Sequence, residues 1–163
     1  MDESDVESAP HVVPDASFDP SLRDILDRGA GAFSRGDLDA YLAVMAPEIE
    51  LSLELDEAGH PIFPGLQPLY RGHEGIRQFW HDWHSELERG VPLEVGGVVY
   101  GTGCYAALAR YRAVGRDGVT AERKITSAVE VRNGLIWRFR DFAHWEDALE
   151  ALGMPTDLTP GPP

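Results

Sequence analysis

An α+β domain, with helices laid on one face of a curved antiparallel sheet, is the fold this sequence predicts, and three observations predict it. Helical periodicity dominates the first half of the chain, strand-like runs fill the second, and the last two runs are joined by Asn133-Gly134, a strong hairpin signal. The length of 163 residues suits one domain that buries a core without disulfide or metal staples. Hydrophobic residues at 43% and charged residues at 26% give the balance of a folded body rather than a disordered chain.

Met1 to Ser17 is acidic, interrupted by proline and aperiodic, so 1–17 is expected to be disordered, as is the proline-rich tail 154–163. The folded domain is therefore placed at 18–153. A first helix runs from about Pro20 to Phe33, with Leu22, Ile25, Leu26, Ala30 and Phe33 at helical spacing and Gly36 closing it. Asp37 caps a short second helix, Leu38 to Met45, which Pro47 is expected to stop. Glu48 to Leu55 alternates as a half-buried strand, with Ile49, Leu51, Leu53 and Leu55 on one face. Asp56 to Pro68 reads as a loop. His73 to Glu88 then forms the longest helix, with Ile76, Phe79, Trp80, Trp83 and Leu87 in one stripe. Three strand-like runs follow: Leu93 to Val114 with a turn near Gly101 to Gly103, Thr120 to Arg132, and Leu135 to Trp145. Gly96-Gly97 and Gly101-Thr102-Gly103 read as bulges or turns, and a last short helix, Glu146 to Leu152, closes one end.

Composition excludes whole classes of partner. Lys plus Arg total 14 against 28 for Asp plus Glu, a formal charge of -14, so neither nucleic acid nor an anionic membrane surface is an expected partner. No basic n-region precedes an apolar stretch, and nowhere do about 18 apolar residues run together, so a cytoplasmic location is expected. The single cysteine, Cys104, forms no intramolecular disulfide and reads as packing. His81 and His84 form a His-x-x-His pair on an amphipathic helix, which falls short of three converging ligands; no metal and no cofactor are expected.

With the elements placed, three segments carry a resemblance. They are the helix-Gly-Asp-helix start AFSRGDLDAYLAVMAPEIE, the run Tyr70-Arg71-Gly72-His73-Glu74-Gly75-Ile76 entering the third helix, and Asn133-Gly134-Leu135-Ile136 followed by Arg140-Asp141-Phe142 and Glu146 to Gly153. In order and spacing the chain, from about Leu22 to Gly153, resembles the nuclear transport factor 2-like superfamily, and within it the SnoaL-like polyketide cyclase and limonene epoxide hydrolase branch. The resemblance implies a cone, in which a concave sheet and three helices from the N-terminal half enclose a mostly apolar pocket. It implies small-molecule chemistry of no single kind, because the fold hosts isomerases, cyclases, dehydratases, epoxide hydrolases and plain binders. It also implies a homodimer through the outer face of the sheet, where Ile136 and Phe142 are expected to lie.

Alternation on the last strand puts Leu135, Trp137, Phe139, Asp141 and Ala143 on one face, so an acid stands among apolar neighbours. Asp141 also falls where the resemblance implies a catalytic acid or base. A desolvated carboxyl trades protons near neutral pH. Arg123 shares a face with Ile125, Ser127 and Val129, which makes it either an anchor for a ligand oxygen or a partner that neutralises Asp141. Tyr111 offers a hydrogen bond to a developing oxyanion, and His84 offers a second acid or base at the pocket's edge. The pocket itself is expected to be lined by Phe33, Leu51, Leu53, Trp80, Trp83, Leu87, Ile125, Ser127 and Phe139. One departure weakens epoxide hydrolysis: the Arg-x-Asp pair of that family is matched here by Ala109 and Tyr111, so another acid such as Glu54 would have to enter. The expected activity is a cofactor-independent isomerase, cyclase or hydratase acting on an apolar ligand; the alternative is a non-catalytic binding or assembly module.

Overall fold

Asp19 starts the first helix, α1 (Pro20–Arg35), because its side chain accepts the Ser21 N–H at 2.9 Å and Pro20 supplies a fixed φ at the first turn. Gly36, at φ 70, ends it in the left-handed conformation that other residues resist. Leu22, Ile25, Leu26 and Ala32 form its buried stripe. Asp37 caps α2 (Leu38–Ala43) through the Ala40 N–H at 3.0 Å. The computed structural model describes residues 11–12, 19–59, 61, 65–86, 93–114, 118 and 120–161.

Proline does not stop the second helix. The helix ends at Ala43, and the strand β2 (Met45–Ser52) already contains Pro47. Pro47 lies between Met45 and Glu50, where the pairing of β2 with its neighbour shifts register, a place where a missing N–H costs nothing. Ahead of these elements, His11–Val12 forms a two-residue strand, β1; the rest of 1–17 lies outside the described residues. Leu69–Arg71 forms a short strand, β3, in a stretch the sequence offered only as the entry to a helix. Then come α3 (Gly72–Glu86), β4 (Leu93–Gly101), β5 (Cys104–Val114), β6 (Thr120–Arg132), β7 (Leu135–Phe142) and α4 (Trp145–Ala151).

The sheet runs in the order β1-β4-β5-β6-β7-β2-β3. Its centre, β4 to β7, is the expected antiparallel meander, with Asn133 at φ 54 and Gly134 at φ 77 in the last hairpin. The whole is a mixed sheet, which corrects the purely antiparallel expectation: β2 pairs with β7 in parallel, and β1 with β4. A parallel neighbour needs a long crossover, and α3 with the meander provides one for β2. Register shifts at Val95/Gly97 on β4 and Glu130/Val131 on β6 mark bulges that bend the sheet.

The helices α1, α2 and α3 cover one face, where Ile49, Leu51, Ile76, Phe79, Trp83 and Val129 join one core. Tyr70 holds α3 to the edge of the sheet: its hydroxyl donates to Asp82 Oδ2 and accepts the Gln67 N–H, both at 2.7 Å. The other face carries a second, smaller core in which α4 places Leu149 against Val99, Cys104, Ala106 and Met154. The C-terminal tail is not disordered as expected. Trp145 Nε1 donates to the Leu158 carbonyl at 2.7 Å, and Gly161 pairs with Val98 through both backbone bonds. The sidechain-free Gly97 makes room for this strap, since a Cβ there would stand 2.5 Å from Pro160 Cβ.

Candidate functional site

Between the helical layer and the concave face lies a cavity of about 60 Å³. Its floor is made by alternate residues of β5, namely Tyr105, Ala107, Ala109 and Tyr111, and the two alanines leave the space that larger side chains would fill. Phe33 of α1, Tyr41 of α2, and Phe79 and Trp83 of α3 form an aromatic roof. Phe33 packs edge-on against Trp83 at 5.6 Å and against Tyr111 at 6.2 Å, and Trp83 lies 5.5 Å from Tyr111. From β2 and β7 come Leu51, Phe139 and Asp141, with Leu53 just past the end of β2.

Among the described residues Asp141 is the one charged residue on this lining. Ser127, directly opposite it in the β6–β7 register, donates its hydroxyl to Asp141 Oδ1 at 2.7 Å. Burial pushes the Asp141 carboxyl up from 3.8 to about 7; the Ser127 bond pulls the other way, and the negative charge of Glu54 adds a further upward push. The phenols of Tyr41 and Tyr111 are raised well above their ordinary range by burial and next by the charge of Asp141, so both remain hydroxyl donors at neutral pH. The cavity thus joins a proton acceptor near neutrality to two phenolic O–H groups close enough to feel its charge.

Of the residues expected at the site, Asp141, Tyr111, Phe33, Leu51, Leu53, Trp83, Ser127 and Phe139 line the cavity. Arg123 does not: it is opposite Tyr111 in register, yet exposed, and makes no ion pair with Asp141 among the described residues. Strand parity gave its face but not how far along the strand the helical roof extends. His84 turns back along α3, its Nδ1 2.7 Å from the Trp80 carbonyl, and is not on the lining. Trp80 stands behind the lining, 5.6 Å from Phe33 and 5.3 Å from Tyr41, and Ile125 is buried in the core beside it rather than on the cavity wall. Leu87 lies outside the described residues.

Ile136 corrects the expected outer surface. Trp137 is an extra residue between the pairs Glu130–Arg138 and Val131–Ile136, so the alternation flips there. Ile136 therefore faces the cavity with Phe139 and Asp141, while Trp137 lies under the Arg132 guanidinium, 3.9 Å from its ring centroid. Tyr41, Tyr105, Ala107 and Phe79 are lining residues that sequence reasoning did not assign. For β5 the signal was present, since Tyr105, Ala107, Ala109 and Tyr111 sit at period two. Among the described residues no three His, Cys, Asp or Glu side chains converge as a metal site.

Opposed substitutions test these causes. Removing the hydroxyl in Ser127→Ala is expected to move the Asp141 midpoint above 7, whereas Glu54→Gln, which removes a neighbouring negative charge, moves it below. A carbon-detected NMR titration of the Asp141 carboxyl reads both; shifts of the same sign would show that the two groups do not act on it as described.

An α+β domain whose cavity lining carries, among the described residues, one half-buried acid defines a small-molecule pocket fold, and comparison places the chain within it. The model of the SnoaL-like domain matches residues 26–139, and the chain belongs to that family. Among solved structures it is similar to an NTF2-like protein of unknown function from Burkholderia pseudomallei, at 18% identity and a TM-score of 0.68 over 84% of this chain and 98% of that one. It is similar to TerC, co-crystallised with polyporic acid, at 19% identity and a TM-score of 0.67 over 82% and 98%. A Mesorhizobium loti protein described as a SnoaL-like polyketide cyclase shares 19% identity, with a TM-score of 0.56 over 74% and 97%. No curated protein matches.

Proposed function

We propose that this chain is a cofactor-independent acid–base enzyme, an isomerase, cyclase or hydratase, that moves a proton on a compact apolar ligand. One observation carries the reading: among the described residues the only acid on an otherwise apolar, aromatic lining is Asp141, held by Ser127 through one oxygen. In its ionised form the carboxylate takes a proton from carbon or water next to a carbonyl, and the negative charge that develops on the ligand oxygen meets the hydroxyl of Tyr41 or Tyr111. The same carboxyl, now protonated, returns the proton at a second position, which completes an isomerisation without external acid. Family membership and the cyclase description of the Mesorhizobium loti protein support the chemistry, and TerC with polyporic acid supports a small-molecule occupant.

The experiment is proton exchange and double-bond migration in a panel of small cyclic ketones and β,γ-enones in deuterated water, followed by NMR. Catalysis of either by the protein, lost in Asp141→Asn, supports the reading; no exchange above buffer with any of them overturns it in favour of a binding module. The exposure of Arg123 and the turn of His84 back along α3 favour that second reading, since they remove two of the polar partners the sequence suggested.

A homodimer through the outer sheet face is part of the proposal. The chain's own α4 and tail cover Val99 and Ala106 there, which leaves half-buried Leu108 and Phe142 for a partner. Light scattering at micromolar concentration is expected to give about twice the 18.0 kDa chain mass; the chain mass itself would remove the dimer.

A further inference from the structure

We propose that the same cavity is also a receptor for a compact organic cation, a quaternary or tertiary ammonium head group, seated against the Asp141 carboxylate and among the rings of Phe33, Tyr41, Trp83 and Tyr111. The inference rests on the cavity described above and does not depend on turnover at Asp141.

Charge is the first argument. Among the described residues no Arg, Lys or His stands on the lining, so Asp141 has no cationic partner there, and it accepts a hydrogen bond from the neutral Ser127 hydroxyl. A half-buried carboxylate without a counter-charge is costly, and a cationic ligand supplies what the protein leaves out. The groups that face Asp141 are Ser127 on β6, Tyr111 on β5, Tyr41 on α2 and Glu54 beyond β2. None is positive, and Glu54 makes the potential more negative. An anionic ligand would meet repulsion in a poorly screened site. At long range the formal charge of -14 favours the approach of cations in the same way.

Ring chemistry is the second argument. Four electron-rich rings close on one another around the space, with centroid separations of 5.6 Å for Phe33–Tyr41 and 5.5 Å for Trp83–Tyr111. Such rings attract cations through their quadrupoles, and more strongly where water is excluded. A trimethylammonium group presents a diffuse charge without hydrogen-bond donors of its own, which suits a lining of aromatic rings around one carboxylate.

The test compares choline with 3,3-dimethylbutan-1-ol, its neutral isostere with carbon in place of nitrogen, by titration calorimetry on the full chain. At about pH 8 the wild-type protein is expected to hold choline at least about tenfold more tightly than the alcohol. At about pH 5.5, where a proton occupies Asp141, the preference is expected to shrink to about twofold, and in Asp141→Asn to be about twofold at both pH values. The pH comparison uses unaltered protein, so it stands even if the variant folds poorly. Equal affinities at pH 8, no choline binding at all, or a preference in Asp141→Asn as large as that of the wild type at pH 8 each overturn the inference. None of these outcomes touches the proton-transfer reading, which is decided by exchange in deuterated water. Loss of exchange activity in Asp141→Asn with no choline preference in wild type would leave the enzyme and remove only the cation site.

Discussion

Asp141→Asn is expected to lower proton transfer by about two to four orders of magnitude while leaving the affinity for a neutral ligand within about threefold. Asparagine keeps the size of the side chain and still accepts the Ser127 hydroxyl, so the cavity wall retains its shape; what disappears is the basic oxygen. The pH profile separates this loss from a mere disturbance of packing. The base must be unprotonated to act, so in the wild-type protein kcat/KM is expected to rise with pH through a midpoint near the raised Asp141 value, about 7, and to level off above it. The residual activity of Asp141→Asn should show no such rise. A wild-type midpoint near 4, or a variant that keeps the step at 7, would assign the proton transfer to another group.

Much of this geometry was legible because short-range periodicity is strict. The period of two that puts Phe139 and Asp141 on one face also put Ser127 opposite them, and all three line the cavity. The same rule failed at Ile136, where Trp137 enters the strand as an extra residue, because a bulge is set by the match to a neighbouring strand and leaves no mark in the local pattern. Arg123 shows a different limit. Its face was correct, but burial depends on where the helices end above the sheet, which is a long-range property. Tyr41 sits in a helix of six residues, too short for an apolar stripe to declare itself, although it lines the cavity beside Phe33. The tail was misread for a related reason. Proline-rich composition removes regular structure, but it does not prevent single contacts such as the Trp145–Leu158 bond and the buried Met154 from ordering the backbone.

The same substitution that removes activity is expected to stabilise the fold. In the unfolded chain Asp141 loses its proton near 3.8, whereas in the native state burial holds the proton until about 7. The native state therefore binds more protons between these values, and the stability that the protonated carboxyl contributes is full below about 3.8 and falls as pH rises through 7. Above that the buried carboxylate costs up to about 4 kcal/mol, and about half of that where residual exposure screens it. Asparagine carries no such cost. Denaturant titrations should accordingly find Asp141→Asn and wild type similar near pH 4 and the variant more stable by about 2–4 kcal/mol at pH 8, on the order of 5–10 °C in Tm for a chain of this size. A brace behaves in the opposite way. If Asp141 served mainly to tie β6 to β7 through Ser127, its ionised form would make the stronger bond, and the variant would be the less stable protein at pH 8. The sign of that one difference separates an acid kept at a cost for its chemistry from an acid kept for the sheet.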